Sequence, residues 1–164
     1  MFTLICLAAI GALALNMHLP SLPAMAETFN VSYSTTTLSI TLFLAMNAVF
    51  QIFVGPLSDR YGRRPVVLVS LSIFCLSSVG CILAINFEFF LFCRVLQAVV
   101  VAGLVVSRAA VRDSYSQDQA ASVLGYIAMG FSVLPLVGPA FGGILEVKFG
   151  WIASFWVLLG VGVL

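Results

Sequence analysis

Charge is what this chain has least of. Lys, Arg, Asp and Glu together make up 8% of its 164 residues, seven basic and six acidic, while 62% are hydrophobic and the mean hydropathy is +1.19. A soluble domain of this size cannot hide so much apolar surface, so the composition excludes a soluble globular fold and leaves a membrane protein. The four cysteines, Cys6, Cys75, Cys81 and Cys93, fall inside apolar runs with no C-x-x-C spacing, which removes support for a disulfide framework or a zinc site. They read as small packing residues. His18 is the one histidine. It stands three residues from Ser21 with no acidic partner and no G-x-S-x-G context, so a membrane-embedded enzyme has no nucleophile to run on. Nothing points to a cofactor, a metal or a nucleic acid. Low-complexity segments, acidic tails and Gly/Ser linkers are missing too, and with them any sign of a second, soluble domain.

What is there is a succession of apolar runs. A spanning helix needs roughly 17 to 25 mostly apolar residues, and the runs 2–19, 37–54, 66–85, 87–106 and 120–145 meet that rule, the fourth despite Arg94. A sixth, 152–164, is still apolar where the sequence stops, so the chain reads as cut within that helix. The first run lacks the basic n-region of a signal peptide and reads as a span. Pro20, Pro23 and the polar stretch from Glu27 to Ser34 predict its end, with Ser32 or Ser34 as N-cap of the second helix and the longest outer loop between them.

Four charged residues, three of them arginines, are gathered in Gly55-Pro56-Leu57-Ser58-Asp59-Arg60-Tyr61-Gly62-Arg63-Arg64-Pro65, read as a turn between the second and third spans. Placing it inside puts Arg60, Arg63, Arg64, Arg108 and Arg112 on the cytoplasmic side and only Lys148 outside, as the positive-inside rule requires. A turn that only set topology would need the positive charges but not two glycines and an aspartate at fixed offsets. Part of the segment recurs: Gly55-x-Leu57-x-x-Arg60-Tyr61-Gly62 returns as Gly143-x-Leu145-x-x-Lys148-Phe149-Gly150, each copy closing the second helix of a set of three. Three is odd, so two such sets must be inverted across the membrane.

Other positions stand out against the apolar background. Arg94 lies about 10 Å below the outer end of its span by helical rise, where an unpaired arginine costs on the order of 2.5 to 3.5 kcal/mol or more. It is either functional or snorkels outward to headgroups. The fifth span carries Gly125 and then Pro135-x-x-Gly138-Pro139-x-x-Gly142-Gly143. The Gly138-x-x-x-Gly142 pair opens a groove for a close helix contact, and the prolines remove backbone donors so that the helix can bend. Asn47 and Gln51, one turn apart on the second span, line a polar path or glue helices together.

Taken together these motifs resemble the major facilitator superfamily. The 55–65 segment is similar to its G-x-L-x-D-R-x-G-R-[RK]-P loop, which in the family latches one conformation through Gly55, Asp59, Arg60, Gly62, Arg63 and Arg64. Arg94-Val95-Leu96-Gln97 resembles the R-x-x-Q of the fourth-helix motif tied to proton coupling, with Ala98 where that motif has glycine. The fifth span resembles the antiporter signature of drug exporters, with Leu134 replacing one of its glycines. Asn16-Met17-His18-Leu19-Pro20-Ser21-Leu22-Pro23 is similar to the first-helix D-M-Y-L-P-A-L-P of the Bcr/CflA branch of drug-proton antiporters, and Arg112-Asp113 and Gly150-Trp151 fit that branch as well. One departure has consequences. Where the branch has an aspartate this chain has Asn16, which neither takes up nor releases a proton. Asn16 lies about 6 Å below the outer surface by rise and is expected to meet Arg94 as a hydrogen-bond acceptor. His18 becomes a candidate substitute proton site, or an interfacial histidine in place of a tyrosine.

The resemblance implies an all-α membrane protein, the N-terminal six-helix bundle of a 3+3 inverted repeat with its sixth helix truncated. It implies multi-pass residence in a bacterial inner membrane, drug-like molecules and protons as partners, and a C-terminal half that this chain does not contain.

Overall fold

The computed structural model describes residues 2–163, with side chains from Cys6 onward. Leu164, the last residue of the expected sixth span, and Met1 lie outside the described residues. Described residues form eight α-helices and two short 3-10 segments: α1 (Phe2–Asn16), α2 (Leu22–Phe29), α3 (Tyr33–Tyr61), α4 (Arg63–Ile82), α5 (Phe87–Gln97), α6 (Val101–Ser114), α7 (Gln117–Phe149) and α8 (Ile152–Val163), with no strand among them. A 3-10 turn, Leu19–Ser21, joins α1 to α2, and another, Ala98–Val100, joins α5 to α6. Five stretches are long and apolar enough to cross a membrane: Cys6–Phe29, Tyr33–Tyr61, Arg63–Ile82, Phe87–Ser114 and Gln117–Phe149, with the shorter apolar Ile152–Val163 after them. The expected all-α membrane bundle is the fold observed.

Four of the five spanning stretches are longer than their apolar runs, Arg63–Ile82 being the exception, because a helix can continue past hydrocarbon depth. At 1.5 Å per residue α7 extends about 50 Å, well over the roughly 30 Å of the bilayer core. Three differences from the sequence reading follow from local chemistry. Pro20 and Pro23 do not terminate the first span; they sit in the opening turns of the 3-10 segment and of α2, where a missing N–H costs nothing. The long outer loop therefore shrinks to residues 30–32, with Asn30 in the left-handed conformation as C-cap of α2. Ser32 caps α3, its hydroxyl accepting from the Thr35 N–H at 3.1 Å. The third difference is the charged turn, which is mostly helix. α3 continues through Pro56 to Tyr61, and Gly62 alone breaks it before α4 begins.

Gly62 and Gly150 are the two glycines at positive φ among the described residues, at φ 88°, ψ 155° and φ 80°, ψ 170°. They are the closing residues of the two repeat copies, and each ends the second helix of its three-helix set in the same backbone conformation. The packing follows the same exchange. The first span packs on the fifth as the fourth packs on the second, and the third and sixth pack on each other. This region of backbone space is essentially closed to residues with a Cβ, at about 1–3 kcal/mol each. A Cβ on Gly150 would touch nothing within 4 Å and one on Gly62 would reach the Pro65 ring only at 3.8 Å, so the cost there is backbone strain alone. Gly62→Ala and Gly150→Ala are each expected to lower stability by about 1–3 kcal/mol and to add in the double variant, whereas helical Gly160→Ala, also in open space, should not. Thermal unfolding in detergent, read as labelling of the buried Cys81 and Cys93 thiols, measures this. Equal stability of all three variants would overturn it.

Candidate functional site

Arg94, on α5, is completely buried and sits where five of the six spans meet. The geometry begins with the end of α1. Pro20 has no N–H to offer the Asn16 carbonyl, so α1 stops there and leaves carbonyls of its last turn without the full set of intrahelical donors. Arg94 takes one of them: Nη1 and Nη2 both donate to the Ala14 carbonyl at 3.3 Å. Nη1 also donates to Oε1 of Gln97, one turn along. Nη2 faces the His18 ring, 3.1 Å from Nε2 and 3.4 Å from Nδ1. Nη2 is near both ring nitrogens at once, so it meets the face of the imidazole rather than the in-plane lone pair of either nitrogen. Phe43 of α3 lies beneath the guanidinium carbon at 4.6 Å from its ring centroid, and Phe155 of α8 lies at 5.8 Å. Such cation–π contacts are worth about 0.5–2 kcal/mol.

Gln97 is oriented from the other side. Its Nε2 donates to Ser78 Oγ at 2.7 Å, and the Ser78 hydroxyl spends its own proton on the Phe74 carbonyl, also at 2.7 Å. With its proton committed, Ser78 Oγ can only accept, which turns the Gln97 amide so that its oxygen points at Arg94. The cluster thus runs from α4 through α5 to the end of α1. Arg94 Nε alone keeps no partner among the described residues.

No carboxylate belongs to this cluster. The six acidic residues, Glu27, Asp59, Glu88, Asp113, Asp118 and Glu146, all stand within a few residues of helix ends. Arg94 is held by neutral dipoles and aromatic faces, and one uncancelled positive charge remains inside the bundle.

Asn16 does not join it. Its Nδ2 donates to the Ala12 carbonyl at 2.8 Å, and its Cβ faces Gly138 of α7. Depth along the axis correctly put Asn16 near Arg94, but azimuth decides contact. Ala14 and His18 are four residues apart and share a face, while Asn16, two residues from each, points to the other side. The Gly138/Gly142 groove receives that side. A Cβ on Gly138 would come within 3.1 Å of Asn16 Cβ, one on Gly142 within 1.8 Å of the Met17 carbonyl oxygen, and one on Gly143 within 3.8 Å of the Pro20 ring. Gly125, in the same helix, meets nothing within 4 Å. Asn47 and Gln51 bond to each other, Gln51 Nε2 to Asn47 Oδ1 at 3.2 Å, with Gln51 exposed.

At the end of the bundle where α3, α4 and α6 meet, Arg63 forms an ion pair with Asp113 and donates to the Val106 carbonyl at 3.5 Å. Arg60 lies over the Tyr61 ring at 5.4 Å, and Asp59 and Arg64 are exposed. The pair ties the 55–65 segment to the end of the fourth span, which places Arg60, Arg63, Arg64 and Arg112 at one end of the molecule. The sequence reading had not paired Asp113 with Arg63, nor Ser78 with Gln97. A serine in an apolar helix and an acid just beyond a span carry no signal of their partners.

A model of the Major Facilitator Superfamily matches residues 4–164. The chain belongs to that superfamily. Its relatives include a chloramphenicol resistance protein of Pseudomonas aeruginosa, 36% identical over 157 residues, covering 94% of this chain and 37% of that protein. An uncharacterized MFS-type transporter, YdgK, of Bacillus subtilis strain 168 is 38% identical over 166 residues, covering 99% and 41%. Multidrug resistance protein D of Escherichia coli K12 is 32% identical over 157 residues, covering 95% and 40%. The chain spans 37–41% of the length of these relatives. It is a multi-pass membrane protein of a transporter family rather than an enzyme.

Proposed function

We infer that this chain is the N-terminal half of a drug exporter working by alternating access in a bacterial inner membrane, in which small drug-like molecules leave in exchange for protons. The observation that carries this reading is the buried Arg94 cluster. A cation at membrane depth is functional by default, and this one joins five spans while no carboxylate neutralises it. Relatives named for chloramphenicol and multidrug resistance favour drug-like cargo. Substrate in such folds binds near the midplane between the halves, so this chain supplies one wall of the cavity and needs a C-terminal half for the other. Its share of the relatives' length also favours a half-transporter scaffold that acts only when joined to that half.

The test is efflux of a lipophilic antibiotic from cells or vesicles, with the chain alone and with a six-helix second half supplied in frame or in trans. Export is expected only with the second half present and only with a proton gradient. Export that persists when the gradient is collapsed removes the coupling, and no export in either arrangement removes the transporter reading.

His18 is proposed as the proton-linked group. It faces Arg94 and is the one side chain of the spans whose unperturbed titration lies near neutrality. His18→Gln keeps an acceptor toward Arg94 but cannot titrate. It is expected to flatten the pH dependence of export while leaving the protein folded, and an unchanged pH profile would remove His18 from the coupling.

A further inference from the structure

Ser78 of α4 and Gln97 of α5 are bonded at 2.7 Å across two antiparallel helices that residues 83–86 connect. On such a pair, three or four residues forward along one helix match the same step back along the other, so one turn nearer the connection Cys81 stands against Cys93. The two sulfurs share a hydrogen bond. The backbones are close there as well. A Cβ on Gly80, the neighbour of Cys81, would lie 2.5 Å from Cys93 Sγ and 3.6 Å from Cys93 Cβ. The second distance falls within the roughly 3.5–4.5 Å that separates Cβ atoms in disulfides. Both cysteines are buried and both are free thiols. Cys75 is turned elsewhere, with its sulfur 3.0 Å from the position of a Cβ on Gly162 of α8. Packing asks for small side chains at the α4–α5 crossing; it does not ask for sulfur on both sides of it.

We propose that Cys81 and Cys93 form a redox-modification site, a dithiol that a peroxide-class oxidant closes into a disulfide between the third and fourth spans. Cys93 is 4% exposed and Cys81 0%, so Cys93 is the sulfur that a small uncharged oxidant reaches first. That sulfur attacks the peroxide: an S–O bond forms, the O–O bond breaks, and one water leaves with the thiol proton, giving a sulfenic acid. The Cys81 sulfur then displaces the oxygen. The S–S bond forms, the S–O bond breaks, and the Cys81 proton departs in a second water. Two thiols and one hydrogen peroxide become one disulfide and two waters, with two electrons passing from sulfur to oxygen. The bond closes one turn from Ser78 and Gln97, so oxidation ties together the two helices whose contact orients Gln97 toward Arg94. The inference rests on the α4–α5 contact and needs neither transport nor a membrane orientation.

The experiment treats the whole chain, folded in detergent, with hydrogen peroxide and reads intact mass and cysteine peptides. The expected product carries a cross-link between positions 81 and 93 and regains two thiols with dithiothreitol. Its bond should form on the order of tenfold faster in folded protein than in protein unfolded by urea and sodium dodecyl sulfate, because the fold holds the sulfurs together. Cys6→Ser/Cys75→Ser should form the same bond at the same rate and lose the mass of two hydrogens. Cys81→Ser should form no bond and stop at a Cys93 sulfenic acid, which dimedone traps. Cys81 and Cys93 remaining thiols at every peroxide dose that leaves the protein folded would overturn the proposal. A bond to Cys6 or Cys75, a bond between two chains, or equal rates in folded and unfolded protein would overturn it too.

Discussion

Gly142→Ala is expected to separate the first span from the fifth. The added Cβ would stand 1.8 Å from the Met17 carbonyl oxygen, 2.8 Å from its carbonyl carbon and 3.3 Å from its Cα. All three atoms are backbone, so no side chain can swing aside, and Met17 itself is 1% exposed with nowhere to retreat. Overpacking ordinarily costs about 1–3 kcal/mol because side chains absorb part of it; a backbone-on-backbone clash sits at or above the top of that range. Gly138→Ala is the graded control. Its Cβ would be crowded by Asn16 Cβ at 3.1 Å, with backbone atoms of Asn16 and Met17 at an ordinary 3.8 Å, and about 1 kcal/mol suffices for a shift of a few tenths of an ångström. Gly125→Ala, in the same helix with open space around it, should be neutral or stabilising by up to about 1 kcal/mol, since alanine is the better helix former. The order of thermal stabilities in detergent, Gly125→Ala highest and Gly142→Ala lowest, is the measurement. A Gly142→Ala protein as stable as Gly125→Ala would mean that these helices do not pack through the glycine groove.

That contact shows what the sequence could and could not tell. The G-x-x-x-G spacing announced a close approach, because small residues four apart can serve little else in a membrane helix. Its partner was invisible. Met17 is an ordinary apolar residue, and only the tertiary fold brings its carbonyl to Gly142. Span count was legible because lipid enforces helix length so strictly. Helix ends were not. Beyond hydrocarbon depth hydropathy says nothing about helicity, so α3 carries Asp59 and Arg60 in its last turn as easily as leucine. The repeated glycines were the better guide to that end, since a positive φ at Gly62 and Gly150 stops a helix whatever its polarity.

The candidate site divides in the same way. Arg94 and Gln97 were found because their cost in the membrane makes them conspicuous, and their spacing of three along a helix lets them meet. His18 was conspicuous as the single histidine, but its distance from Arg94 followed from the break at Pro20, which no rise count includes. Asn16 was misplaced for a different reason: a similar depth was treated as a contact, when the helical period turns it away. Ser78 and the Ala14 carbonyl had no signal at all. One is a common residue in an apolar helix and the other is backbone.

Breaking the Arg94 cluster from its two ends should give opposite results for stability. Gln97→Leu leaves the guanidinium in place and takes away its side-chain acceptor. A charge-assisted bond is worth about 1.5–3 kcal/mol, and a buried cation stripped of a partner cannot be rehydrated here, so a loss of about 2–3 kcal/mol is expected. Arg94→Met removes the charge itself. Replacing a buried ion with an apolar side chain of similar length is often neutral or stabilising, and the residues left behind can adjust: His18 by changing tautomer, Gln97 by keeping Ser78. The double variant should then be more stable than Gln97→Leu alone, with a coupling energy of about 1–3 kcal/mol between the two positions. Arg94→Lys should not rescue what Arg94→Met loses in export, because a point ammonium cannot reach Ala14, Gln97 and His18 at once. Melting of the four proteins, followed through the Cys81 and Cys93 thiols, and export assayed with the second half present separate the two roles. Additive single effects would mean that Gln97 does not hold Arg94. A protein that exports normally with methionine at position 94 would mean that the buried charge serves folding and not transport.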